Sequence, residues 1–134
     1  VLAVDADPQG GLTLKLGHRD QYREGEYALY DVLSEMGQLS LDDLDELIVH
    51  GDEFDIVPSH IRNFRLEKHL YSEARGVEAL KLALDRLTAD YDYVVIDSPP
   101  NLGPLADGAL LAAENVLFPS HANTIAKDSL EILF

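Results

Sequence analysis

Two stretches of this 134-residue chain place acidic side chains where chemistry could be done. The first is VLAVDADPQGG, residues 1–11. Its short apolar, β-branched run stops at Asp5-Ala6-Asp7-Pro8, and such a run reads as a strand buried on both faces. Carboxylates just past the end of a buried parallel strand stand where α/β sheets place their ligands. Pro8 disfavours helix at Asp7 and removes a backbone donor. Gly10-Gly11 then lets the backbone turn freely or approach a ligand closely. An acidic strand end that simply turns in solvent fits the same residues. The second stretch is YDYVVIDSPPNLG, residues 91–103. An apolar strand delivers Asp97 to its end, followed by a stiff Pro99-Pro100 turn and then Gly103. In phosphate-binding α/β proteins an aspartate so placed holds Mg²⁺, usually through water, and a following glycine offers its N–H to a terminal phosphate.

The elements that must position these residues follow in order. A helix over 12–16 stops at Gly17, and 18–26 is polar and reads as loop. Residues 28–36 carry Leu29, Val32, Leu33 and Met36 at helical spacing. Ser40 N-caps a helix expected to run to Val49. Residues 54–57 alternate as a second strand, ended by Pro58-Ser59. Helices follow over 61–71 and 77–87, the latter burying Leu80, Leu84 and Leu87. A third strand over 93–96 ends at Asp97, and 105–114 is an Ala/Leu-rich helix. Residues 116–118 read as a fourth strand, closed by Pro119, with a last helix from Thr124 or Ala126. Strands alternating with helices predict an α/β fold with a doubly wound, mainly parallel sheet and helices on both faces. Crossovers of one hand bring all strand C-termini to one edge, so Asp5, Asp7, Ser59, Asp97 and Ser120 gather there.

Composition sets the outer bounds. The length fits one domain or part of one, and a hydrophobic fraction of 46% supports a core. No run resembles a signal peptide or membrane span, and cysteine is absent, so disulfides and thiolate metal sites are excluded and a cytoplasmic protein is expected. The five histidines show no ligand spacing, and Ser98 has no neighbouring histidine base that would make it a nucleophile. Ten basic residues against 25 acidic ones give a net charge of −15. That surface repels nucleic acid and anionic membrane. Arg62, Arg65 and Lys68, the densest basic group, read as a solvated helix face. The acids are dispersed rather than run together, which favours solubilising charge of the kind found in salt-loaded cytoplasm over a docking surface for a basic partner. The chain opens at Val1 in mid-strand and closes at Phe134 inside a helical pattern, so an internal fragment is expected.

VLAVDADPQG with Leu16-Gly17, residues 28–33 (ALYDVL), 54–59 (FDIVPS), YDYVVIDSPPNLG and 116–119 together resemble the ParA/MinD-type ATPases. These are the deviant Walker A branch of the P-loop NTPases, and the resemblance is nearest to the chromosome- and plasmid-partitioning ParA group. It covers nearly the whole chain in the family's order. It implies that Asp7 positions the water attacking the γ-phosphate of ATP and that Asp5 lies near the Mg²⁺ shell. It makes Asp97 the Walker B aspartate, Pro100 and Gly103 the switch II turn, and Gln9 and Gly10 part of the cofactor-binding loop. It also implies an ATP-bound homodimer, a ParB-like partner and non-specific DNA binding. Gly11 stands where the family usually has asparagine. No Gly-Lys pair occurs in the chain. The P-loop is therefore expected immediately upstream of Val1, making residues 1–134 the central part of a single ATPase domain. Without P-loop lysines and backbone cradle, phosphates have no strong site, and the 134 residues alone are expected not to hydrolyse ATP.

Two rival readings use the same residues. A receiver-like phosphoacceptor module also sets an acid pair after its first strand, but here Asp5 and Asp97 are separated by several elements, and no Lys-Pro pair follows the last strand. A non-catalytic interaction domain would keep the sheet and lack the P-loop. The charge yields a test of its own. Screening length falls from about 30 Å at 0.01 M salt to about 3 Å at 1 M. The melting temperature should therefore climb steeply with KCl over that range at fixed pH. A flat or falling melting temperature would instead favour a docking role for the acids.

Overall fold

The computed structural model describes residues 1–25, 28–34, 45–87 and 91–119. Three short strands form its centre: β1 (Leu2–Asp5), β2 (Asp55–Val57) and β3 (Val94–Asp97). All are parallel, in the order β2-β1-β3. Their β-branched content suits a pleated, packed surface, and each ends where an acid or proline stops the apolar run. The central strand β1 is buried at all four positions. Register places Val57 beside Val4, and Val94 and Ile96 beside Leu2 and Val4, so these side chains share one face.

That face carries the core. The described helices are α1 (Gly11–Lys15), α2 (Arg19–Glu24), α3 (Leu29–Ser34), α4 (Leu66–Ser72), α5 (Ala79–Leu87) and α6 (Pro104–Ala112). Short 3₁₀ turns, Ile61–Arg65 and Gly76–Glu78, lead into α4 and α5. Helix α5 buries Leu80, Ala83, Leu84 and Leu87, the three-to-four spacing of an amphipathic helix. These join Leu2, Val4, Val57, Leu29, Leu33, Leu66, Leu70 and Leu105 in one cluster. On the opposite face Ile56 is buried, whereas Val95 on β3 is 55% exposed.

Three expectations are corrected. Residues 18–26 do not stay loop: Arg19–Glu24 is helical, with Asp20 in its first turn and Arg23 in its last, matching the helix dipole. Val49 does not end a helix but bridges Ile56 antiparallel, with backbone bonds of 2.8 and 2.9 Å that cover the outer edge of β2. Residues 116–118 form no strand. Among the described residues they are not part of the three-stranded sheet, and Leu117 is 87% exposed. Apolar, β-branched composition suits a strand but does not by itself make one. The expected helix from Ser40 lies outside the described residues up to position 44, as do Met36, Ser120 and the last helix.

The packing predicts a contrast. Leu80→Ala, at a core position 1% exposed, should cost about 2–5 kcal/mol of unfolding free energy in a denaturant titration. Val95→Thr, on the open face, should change it by no more than about 0.5 kcal/mol.

Candidate functional site

Asp5 ends β1 and Asp97 ends β3, and the register sets them directly opposite each other. They therefore project from the same face of adjacent strands, which run about 4.8 Å apart. Asp7 follows on the loop leaving β1. The three carboxylates act on one another. Burial raises the pKa of Asp5, and the charges of Asp97 and Asp7 raise it further against two hydrogen bonds that lower it. Burial and then Asp7 raise Asp97, while Lys15 lowers it.

Asp5 is fully buried. Its Oδ2 accepts from the backbone N–H of Thr13 at 2.7 Å and from the Thr13 hydroxyl at 2.6 Å. Its Oδ1 has no hydrogen-bond partner among the described residues. From Thr13, a buried polar network spreads to the other sheet-edge loop. The Ser59 N–H donates to Thr13 Oγ1 at 2.8 Å, and the Ser59 hydroxyl donates to the Asp7 carbonyl at 2.6 Å. Asn63 donates to Ser59 Oγ at 3.3 Å and accepts from the Tyr30 N–H at 3.2 Å, reaching the start of α3.

The loop after β1 is tightly wound. The Gln9 N–H donates to Asp7 Oδ1 at 2.9 Å, an Asx turn, and the Gly10 N–H donates to the Asp7 carbonyl at 2.9 Å. Gly10 has φ 65°, in the left-handed region, and a Cβ there would lie 2.5 Å from the Tyr22 ring. Glycine is thus required twice over, by conformation and by space. Beyond β3, Pro99 is buried and Pro100 exposed. Asn101 Nδ2 donates to both Glu67 carboxylate oxygens, at 3.0 and 3.2 Å. Gly103 is buried against the same carboxylate: a Cβ would lie 2.8 Å from Glu67 Oε1.

Sequence reasoning placed Asp5, Asp7, Ser59 and Asp97 at one edge, and the fold brings them together there. Gln9 and Gly10 share the Asp7 loop, while Pro100 and Gly103 form the turn after β3. Thr13, Tyr22, Asn63 and Glu67 went unnoticed. A threonine on the short helix after the loop was the one legible signal, since its hydroxyl stands within reach of the preceding strand end. Arg62 is not a free basic side chain: it pairs with Asp31 at 2.9 Å. His60 caps the 3₁₀ turn by accepting the Arg62 N–H at 3.0 Å, and burial with Arg62 lowers its pKa.

The arrangement suits a hard divalent cation such as Mg²⁺. Carboxylates gather at one strand edge, one buried carboxylate oxygen has no partner among the described residues, and burial, with neighbouring acids second, raises two pKa values. Among the described residues no three such groups converge closely enough to form a direct cage.

A parallel α/β sheet with carboxylates at its C-terminal edge defines the class, and known proteins narrow it. Residues 1–134 match the AAA domain family AAA_31. The sporulation initiation inhibitor protein Soj of Bacillus subtilis is 34% identical over 99% of this chain and 51% of its own length. Among solved structures, Mycobacterium smegmatis cobyrinic acid a,c-diamide synthase with bound ATP analogue and magnesium superposes with a TM-score of 0.75 at 35% identity, covering 97% of this chain and 52% of that one. A variant of Cyanothece McdA in complex with ATP gives a TM-score of 0.80 at 27% identity, over 98% and 50% of the two chains. The chain belongs to this family, the P-loop ATPases of ParA and MinD type. It spans about half the length of the curated relatives it matches.

The raised pKa values predict how stability responds to pH. A carboxylate with a raised folded-state pKa contributes stability that is fully present below its unfolded value, near 3.8, and is lost as pH rises through the folded value. At neutral pH the paired charges therefore oppose folding. Asp97→Asn should raise the melting temperature there by the equivalent of at most about 1 kcal/mol, since Asp97 is exposed. The gain should vanish below pH 3.8, where the wild-type carboxylates are protonated. Thermal melts across that pH range check both halves.

Proposed function

We propose that this chain is the central part of a ParA-like ATPase domain that binds Mg²⁺ and ATP at the C-terminal edge of its sheet. The observation that carries the reading is the Asp5–Asp97 register, with Asp7 on the adjoining loop. The phosphate cradle comes from a P-loop outside these residues, since the chain itself holds no Gly-Lys pair. Asp97 and Asp5 would hold the Mg²⁺, which when bound would supply positive charge to offset that of the phosphate oxygens. Asp7 orients the attacking water and accepts its proton. Gln9 and Gly10 shape the loop that carries Asp7 beside the nucleotide, and the Pro100–Gly103 turn brings the Gly103 N–H to the terminal phosphate.

In this reading hydrolysis is a switch. The ATP-bound form is a homodimer that engages non-specific DNA and a ParB-like partner, and hydrolysis releases it. Named relatives partition chromosomes or distribute carboxysomes, so the cargo class here is DNA or a large assembly. Among the described residues no helix is long and apolar enough to cross a membrane. Family membership removes the ground for a receiver-like phosphoacceptor.

The test uses the full-length protein. Asp7→Ala should slow ATP hydrolysis about 10²–10⁴-fold while ATP binding persists. Asp97→Ala should instead weaken Mg²⁺-dependent nucleotide binding, and the 134-residue chain alone should show no turnover. Normal hydrolysis by Asp7→Ala, or Mg²⁺-dependent turnover by the isolated chain, would overturn the proposal.

A further inference from the structure

Helix α2 brings one side chain onto the Asp7 loop. The Tyr22 hydroxyl donates to the Pro8 carbonyl at 3.0 Å. Its ring edge lies against the Gly10 α-carbon, so close that a Cβ would stand 2.5 and 2.6 Å from two ring carbons. One residue thus grips the loop on both sides of Gln9, across the turn whose first residue is Asp7. The phenol also stands within the field of Asp5 and Asp7. Helix α2 buries none of its residues fully, so core packing does not explain its position. Among the described residues the Tyr22 bond ties it to the loop after β1, and Arg62 Nη2 donates to the Gly25 carbonyl just past its end at 3.2 Å.

From this we propose that Tyr22 is a positioning residue for Asp7. It holds the turn that runs from Asp7 to the left-handed Gly10 and so sets the place of the Asp7 carboxylate. Ser59 holds the same turn from below, through the Asp7 carbonyl. The Gln9 N–H holds Asp7 Oδ1 within the turn, so the carboxylate points where these two grips set the turn. Displacements of about 1 Å at a reacting group cost up to about a hundredfold in rate. Tyr22 touches no phosphate in this scheme. Its loss affects the chemical step and leaves nucleotide binding intact.

The inference rests on the proposed role of Asp7, and the experiment separates the two. In the full-length protein, Tyr22→Ala and Tyr22→Phe are compared with wild type and Asp7→Ala for single-turnover ATP hydrolysis, ATP dissociation constant and melting temperature. Tyr22→Ala should hydrolyse about ten- to a hundredfold more slowly with an unchanged dissociation constant. Tyr22→Phe keeps the ring on Gly10 and loses only the bond to Pro8, so its rate should fall between the two. If Tyr22→Ala does not fold, Tyr22→Phe carries the test. Wild-type hydrolysis by either folded variant, or parallel loss of rate and ATP binding, would overturn the inference. Slow Asp7→Ala beside wild-type Tyr22 variants would reject the positioning role alone. Wild-type turnover by Asp7→Ala would reject the ATPase assignment of Asp7 itself.

Discussion

A carboxylate with no exposed surface sits at the end of the central strand, and the rest of the site is arranged around that fact. An ionised group out of water is costly unless it is hydrogen-bonded or paired. Asp5 meets half of that requirement through Thr13, whose N–H and hydroxyl both reach Oδ2. These bonds pin the start of α1 to the end of β1, so the intervening Asp7–Gly10 loop must close tightly. Ser59 and Asn63 extend the same network to the end of β2 and on to α3. Three loops that would otherwise move separately share one set of buried polar bonds, which is how a sheet edge becomes a rigid platform.

The unmet half concerns function. Asp5 Oδ1 has no partner among the described residues, Asp97 stands opposite it, and Asp7 adds a third negative charge. The fold holds these acids together at the expense of stability at neutral pH, as the raised pKa values of Asp5 and Asp97 record. Local strain of this kind persists where the surrounding structure over-determines it and where a ligand relieves it. A hydrated divalent cation with phosphate oxygens would do so, in keeping with the family to which the chain belongs.

Much of this was legible in the residues. The strands announce themselves as apolar runs cut off by Asp5, Pro58 and Asp97, and Leu80, Leu84 and Leu87 mark the buried stripe of α5. Parallel order then follows from alternation with helices, and the shared acidic edge follows from parallel order. Other features left no local trace. Helix α2 has no apolar stripe, and Tyr22, which ties it down, bonds a carbonyl fourteen residues away. Ser59 and Thr13 are 46 residues apart in sequence, a separation over which spacing carries no signal. The run over 116–118 misled for the opposite reason: apolar composition shows what could join a sheet, not whether it does.

In the proposed ATPase, Asp5 and Asp97 form one electrostatic unit that a Mg²⁺-nucleotide would neutralise. Carboxyl-carbon NMR titration of the full-length protein, with and without Mg²⁺ and ATP, reads it directly. Both groups should titrate above the ordinary aspartate value in the free protein, and both should fall when Mg²⁺ and ATP are added together. Titration curves that stay where they were after binding would contradict it.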